Sequence, residues 1–449
     1  MIKAVRGTRD LLPPETALWN FVESAVRDVF RAYNFQEIRT PIFEATELFA
    51  RGVGEETDIV SKEMFTWNDR GPLDSGDAFI PGPTFDRVRE HASAKEEESR
   101  RRVQSLTLRP ENTAGVVRAY IQHDLEKRGL NKLFYIGPQF RRERPQKGRY
   151  RQFFQIGAEV IGPPSAGSES PARDAEVLEM LATLLDRLGI TGWTLELNSV
   201  GSAADRARFN AALRASLVPV LGQMCSDCQR RAVTNPLRVF DCKVPADQPL
   251  IETLPRISQF LDNDSLRHFE AVQEILTKVG VPFTLNDRLV RGLDYYTRTA
   301  FEFTHGALGA QNAILGGGRY DGLSEALGGP PAPGIGFAIG EDRLVMSLQE
   351  SAESVMKKPN VYIAPLGAGM NAETARLARE LRRHDLIVDL GDENFRLKKS
   401  FEAATKAGAK YILIVGENEV KADVFSLKNL ATGEQVSVPR AELAKKIQA

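Results

Sequence analysis

The sequence predicts an α+β protein of several domains, and three observations carry that prediction. Residues 361–438 alternate strand and helix patterns in regular succession. Residues 201–282 read as mainly helical. Residues 133–160 and 283–304 carry strand patterns, the first as two short strands around a basic loop. At 449 residues the chain is too long for one compact core, so two to four domains are expected.

Taken in order, residues 15–33 place Leu18, Phe21, Val22, Ala25, Val26, Val29 and Phe30 on one helical face. Phe35–Pro41 reads as a strand ended by proline. Residues 68–105 break the pattern with a Gly/Pro-rich part, Gly71 to Pro83, and a charge-dense run, Lys95 to Arg102. Order returns at Ser105–Arg109, and Pro110 signals a helix start. Val177, Leu178, Leu181, Leu184, Leu185 and Leu188 define a helix over 173–188, closed by Gly189. Trp193–Asn198 is a strand. The helical stretch 201–282 holds all three cysteines and reads as an inserted domain, after which strands resume and continue to Gly340. Residues 351–359 read as a linker to a C-terminal α/β domain of roughly 90 residues, near the size of a small domain. The expected organisation is therefore 1–200 and 283–350 as two parts of one core, 201–282 inserted, and 359–449 separate.

Composition narrows the function classes. Apolar residues make up 42% and charged residues 27%, as in an ordinary globular protein. A formal net charge of −1 means that any polyanion site must be local. No apolar run reaches the roughly 18 residues that suggest a membrane span, and Met1 to Leu11 lack the apolar core of a secretory leader. Three cysteines argue against a disulfide framework. A cytoplasmic, reduced protein is the expectation.

Four blocks carry chemistry. Residues 139–151 hold six basic side chains (Arg141, Arg142, Arg144, Lys147, Arg149, Arg151) against Glu143, on a hairpin with Pro145 and Gly148 at its turn. Alone, such a run fits a solvated hairpin or a plain nucleic-acid patch as well as a ligand site; as arginine forks near one another it fits a polyphosphate. Leu108–Gly115 (LRPENTAG) would by itself be helix capping through Glu111. Val290–Arg298 (VRGLDYYTR) sets an arginine and two tyrosines in a strand, and buried phenols need partners. Gly316–Gly322 (GGGRYDG) and Gly334–Arg343 (GIGFAIGEDR) allow close backbone approach to a ligand.

In this order the four blocks resemble the active-site motifs of class II aminoacyl-tRNA synthetases of the histidine-specific family. The basic hairpin resembles motif 2, the block ending at Arg343 motif 3, and Arg39–Pro41 motif 1, the dimer element. Arg291–Tyr296 (RGLDYY), Gly317–Gly322 (GGRYDG) and Arg6–Pro13 (RGTRDLLP) are typical of that family. The resemblance spans nearly the whole chain and implies an antiparallel sheet with flanking helices, a mainly helical insert, and a C-terminal domain with a mixed sheet that reads the anticodon.

It also implies roles. Glu111 and Thr113 would hold the α-ammonium of L-histidine, with Asn112 in the same pocket. Gln155 would hold its carboxylate, and Glu159 with Tyr295 or Tyr296 its imidazole. Arg141 and Arg291 would flank the α-phosphate of ATP, Arg149 and Arg343 the phosphate tail and adenine side, and Mg²⁺ would bridge the outer phosphates. Arg144, Gln146 and Arg151 would meet the acceptor end of the tRNA for histidine. A cytoplasmic homodimer is implied. The chain departs from the family pattern at Asn112, where glycine is common, at Arg142, where His or Tyr is common, and at Phe154, where His is common. The loop over 70–102 is longer than usual.

Cys225, Cys228 and Cys242 offer three thiolates, one short of a closed zinc site. Asp227, Asp241 or His268 could supply a fourth ligand, but reduced structural thiols are the expectation. A non-catalytic paralogue that regulates a histidine-biosynthesis transferase would generally lack residues 359–449 and erode Arg141 and Arg149. A ligase for an apolar amino acid would not suit the phenolic and acidic pocket.

Overall fold

Helix Glu15–Ala32 buries Leu18, Trp19, Val22, Ala25, Val26, Val29 and Phe30, the face that the 3.6-residue period selects, while Phe21 stays 38% exposed at its rim. This computed structural model describes residues 2–54, 57, 59–69, 104–145, 148–290, 295–306, 312–348 and 357–448. The long loop over 70–102 lies outside them. The described strands of the first unit are β1 (Gln36–Glu37), β2 (Phe43–Ala45), β3 (Phe65–Asp69), β4 (Gln104–Leu108), β5 (Asn131–Phe140), β6 (Gln152–Ile161), β7 (Trp193–Ser199), β8 (Thr284–Leu285), β9 (Thr297–His305), β10 (Ala313–Arg319) and β11 (Gly334–Gly340).

Eight of them form one sheet in the order β1-β5-β6-β11-β10-β9-β7-β8. Its six middle strands are antiparallel, and only the two-residue edge strands β1 and β8 pair parallel. The strand expected over Phe35–Pro41 shrinks to β1, because the chain leaves the sheet there and is gripped by a side chain. Arg109 donates to the Thr40 and Pro41 carbonyls at 3.0 and 3.3 Å and to the Pro138 carbonyl at 2.9 Å. A smaller antiparallel sheet, β2-β4-β3, stands beside this segment.

Helix Thr113–Gln122 begins three residues later than Pro110 suggests. The amides of Thr113 and Ala114 donate to the Glu111 carboxylate at 2.8 and 3.0 Å, so that side chain caps the helix. The helix packs Val116, Val117 and Tyr120 against Leu133, Tyr135 and Ile161 of the sheet. Each such side chain, fully buried, contributes on the order of 2 kcal/mol. A buried ion pair ties further layers together. Arg319 on β10 donates to Asp174 of helix Pro171–Arg187, at 3.1 Å from Nε and 2.5 Å from Nη2. His268 of helix Asn263–Val279 lies 2.8 Å from the same carboxylate. Burial alone would raise Asp174, but Arg319 and His268 hold it down near about 2. Residues 209–257 build their own apolar cluster around Phe209, Leu213, Val239 and Ile251.

The chain divides into two compact units, residues 1–352 and 353–449. In the second, β12 (Val361–Leu366), β13 (Val388–Leu390), β14 (Tyr411–Gly416), β15 (Val424–Asn429) and β16 (Gln435–Pro439) form a mixed sheet in the order β13-β12-β14-β15-β16. The first three are parallel and the last two antiparallel. Helices Met370–Arg382 and Leu397–Ala407 are the crossovers that parallel pairing requires. Among the described residues no helix is long and apolar enough to cross a membrane.

Candidate active site

The strand patterns that build the large sheet also aim side chains into one hollow. β5 and β6 pair with Tyr135 opposite Gly157 and Leu133 opposite Glu159, and β11 lies on the other side of β6 with Gly336 opposite Glu159. The resulting cavity of about 160 Å³ is lined by Glu111, Thr113, Arg141, Gln155, Glu159 and Tyr135, with Tyr295, Tyr296 and Tyr320 closing it. The glycines make room for these groups. A Cβ on Gly336 would sit 1.7 Å from Glu159 Oε2, and one on Gly157 would sit 2.3 Å from the Tyr135 hydroxyl. The glycines of β6 and β11 therefore admit the pocket's own polar side chains.

Glu159 is fully buried and accepts from Thr113 Oγ1 at 2.7 Å. Its second oxygen, and the Tyr135 and Tyr320 hydroxyls, lack a fully formed hydrogen bond among the described residues, as does Gln155 Oε1. Burial pushes the Glu159 carboxyl up to about 8; Thr113 and Tyr320 oppose the rise and the Glu111 charge adds to it. Glu111 is raised as well, by burial first, against the Ala114 and Thr113 amides and the charge of Arg141. Two buried acids, several phenols and an unsatisfied amide oxygen describe a pocket for a small ligand rich in N–H donors.

Arg141 stands at this cavity. Its Nε donates to the Pro110 carbonyl at 2.9 Å, and its guanidinium lies 5.3 Å over the Phe153 ring. Glu143 reaches both Arg141, at 3.8 Å, and Arg149, at 3.3 Å. Arg343 donates to the Ala313 carbonyl at 2.9 Å, and its proton affinity is lowered by burial and then by Arg149 close by. Gly148 at the hairpin turn packs toward Arg343 and Met346. Of the hairpin's arginines, Arg149 is thus the one brought close to Arg343, and two guanidiniums drawn together against their repulsion suit a polyphosphate.

Other predicted residues lie elsewhere. Asn112 does not line the cavity; its Oδ1 accepts from Thr40 Oγ1 at 2.5 Å, which ties the helix start to the Thr40–Pro41 segment. Arg151 is turned to the N-terminal segment, donating to the Arg6 carbonyl at 3.3 Å, and packs against Gly7. Arg144 is exposed on the hairpin. Arg291 and Gln146 lie outside the described residues. Arg319 of the GGRYDG block is absorbed by the buried pair with Asp174. Tyr135 went unnoticed in the sequence; its signal was the alternation Leu133, Tyr135, Gly137 on one strand face. A larger hollow of about 530 Å³ shares Tyr295 and is lined by Arg51, Arg206, Arg298 and Asp321. Among the described residues it gathers no fully buried carboxylate, so the smaller cavity is the candidate site.

Residues 94–344 match the family model described as histidyl-tRNA synthetase, and residues 360–449 match the anticodon binding domain. A histidine–tRNA ligase of Koribacter versatilis is 68% identical over 445 residues, covering 99% of this chain and 95% of that protein. One from Solibacter usitatus is 53% identical, covering 100% and 99%. The crystal structure of an apo histidyl-tRNA synthetase from S. aureus superposes with a TM-score of 0.76 at 34% identity, covering 100% of both chains.

Proposed function

The chain belongs to the histidyl-tRNA synthetase family, in class II of the aminoacyl-tRNA synthetases, and from that premise we propose how its residues work. The family activity charges tRNA with histidine: ATP activates the amino acid as an adenylate, pyrophosphate leaves, and the terminal ribose of tRNA takes the acyl group. The observation that carries the residue roles is the convergence of Glu111, Gln155, Glu159 and Arg141 on one amino-acid-sized cavity.

Glu159 accepts an imidazole N–H, and Tyr295 or Tyr296 supports the ring. Glu111, Thr113 and Gln155 fix the backbone ends. This orientation presents the histidine carboxylate to the α-phosphorus, so alignment replaces a nucleophilic side chain. Arg141 neutralises charge on the α-phosphate as the bond to pyrophosphate breaks. Arg291, outside the described residues, is assigned the opposite side from its motif. Arg149 and Arg343 bind the phosphate tail and adenine side.

Mg²⁺ prefers oxygen ligands and binds through one or two carboxylates plus substrate phosphates. Glu143 between two arginines and Glu302 near Arg343 offer such oxygens, so the residues fit the ion. Bound there with ATP, it would neutralise the outer phosphates. We further propose that the protein is a cytoplasmic homodimer. Arg144, Gln146 and Arg151 are assigned to the tRNA acceptor end, and Arg151 would first have to leave Arg6.

ATP–pyrophosphate exchange with each of the twenty amino acids tests the reading. Exchange that requires histidine and Mg²⁺ is expected. Exchange driven by another amino acid, or none from folded protein, would overturn it.

A further inference from the structure

The inserted segment brings its three cysteines to one point. Cys225 precedes helix Ser226–Thr234, Cys228 lies in its first turn, and Cys242 follows the turn Pro236–Asp241. Cys225 Sγ lies 3.9 Å from Cys242 Sγ, and Cys242 Sγ lies 3.3 Å from Asp247 Oδ2. The ligand atoms of Cys225, Cys228, Cys242 and Asp247 all fall within 4.8 Å of one another. Cys228, Cys242 and Asp247 are buried, and Cys225 is partly exposed, which leaves an access route from solvent. The aspartates and histidine that the sequence offered as a fourth ligand are engaged elsewhere. Asp227 pairs with Arg230 at 2.9 Å, Asp241 with Arg238 at 3.0 Å, and His268 with Asp174 at 2.8 Å. Asp247 was missed because it is donated by a separate turn, five residues beyond Cys242.

We propose that Cys225, Cys228, Cys242 and Asp247 form a structural site for one thiophilic divalent cation, zinc by chemistry. Zinc–sulfur bonds of about 2.3 Å and zinc–oxygen bonds of about 2.0 Å put tetrahedral edges near 3.8 Å and 3.5 Å. The 3.9 and 3.3 Å separations already match those edges. Amide donors stand behind the sulfurs as a ligand shell requires: Cys228 N to Cys225 Sγ at 3.5 Å and Val244 N to Cys242 Sγ at 3.4 Å. The Cys225 amide donates to the Asp247 carboxylate at 3.1 and 3.2 Å and orients it. Three thiolates favour zinc over magnesium or calcium, and the hard carboxylate disfavours copper(I). The three cysteines belong to the apolar cluster of the insert or pack against it, and Asp247 is buried beside them, so the cation would staple the Cys225–Cys228 turn to the Cys242–Asp247 turn. This site is independent of the adenylation pocket.

The full-length chain, purified without chelator, is assayed for metal by mass spectrometry. One zinc per chain is expected, absent from a variant carrying alanine at all three cysteines. On metal-stripped wild-type protein, cobalt(II) should give thiolate-to-cobalt charge transfer and tetrahedral visible bands. Asp247→Asn should keep the charge transfer, alter the visible bands and weaken affinity about tenfold or more. Full reactivity of all three thiols in zinc-loaded protein, a Cys225–Cys242 disulfide in the native protein, or zinc retained by the triple variant would each overturn the site. The cobalt spectrum needs no variant, so a misfolded mutant does not decide the question.

Discussion

Glu159 lies inside the cavity with one oxygen bonded to Thr113 and the other, among the described residues, without a full partner. Its ordinary value is near 4.5, and burial takes it to about 8. Between those values the folded chain holds a proton that the unfolded chain has released. Its contribution to stability therefore falls as pH rises through that window. An imidazole N–H asks for the carboxylate form, so histidine must expel that proton when it binds below pH 8. Free histidine's own ring is mostly neutral above about 6.5. Histidine affinity should therefore rise from pH 6.5 to 8, by at most about tenfold per unit, and then level off. Glu159→Gln should flatten the profile and weaken binding by roughly thirtyfold, the worth of about 2 kcal/mol for a charged hydrogen bond. Calorimetric titration checks both, and a flat wild-type profile would show that Glu159 does not bind the ring as an anion. The sequence named Glu111, Thr113, Gln155, Glu159 and Arg141 through the resemblance of their blocks to known motifs. It missed Tyr135, which reaches the cavity through cross-strand register, and it placed Asn112 in a pocket that Thr40 draws it away from.

The sheet β2-β4-β3 presents large apolar side chains to the surface. Phe43 is 52% exposed, Ile42 44% and Trp67 40%, and the Phe43 and Trp67 rings meet edge-on at 6.0 Å. Pro41 immediately precedes Ile42 and Phe43, and Arg109 fixes that segment to β5. A grouped apolar patch beside a rigidly held segment is what a protein–protein interface needs. A homodimer through this element is expected to sediment at about twice the 49.7 kDa chain mass. Phe43→Glu should raise the dimer dissociation constant at least about tenfold, since it places a charge in an apolar contact. An active wild-type monomer would refute the dimer; an unaffected Phe43→Glu dimer would move the interface elsewhere. Elements with a clean period were legible, as the helix over 15–33 and the C-terminal alternation show. The shortened β1 and the helix start at Thr113 were not, because Arg109 and the Glu111 carboxylate decide them through contacts that periodicity does not register.

At the scale of the molecule, the chain's two units each hold a core of their own. The second closes Val361, Ile363, Leu377, Leu413, Phe425 and Leu443 into one apolar cluster. Residues 357–449 carry 16 basic and 12 acidic side chains, a balance of +4, which is a weak lure for a polyanion. Non-specific attraction to phosphates is therefore a small part of what this unit adds, and base contacts are what carry sequence information. Among the described residues, the candidate cavity draws its lining from the first unit. Truncation at Ser354 is accordingly expected to leave histidine-dependent exchange intact. Charging of tRNA should fall by orders of magnitude and lose most of its preference for the cognate tRNA. Substitutions at Arg144 in the basic hairpin should do the reverse, slowing transfer while the anticodon preference persists. Parallel exchange and charging assays on the two variants separate these outcomes. A truncated chain that charges normally would remove anticodon reading from the second unit and leave the adenylation chemistry of the first untouched.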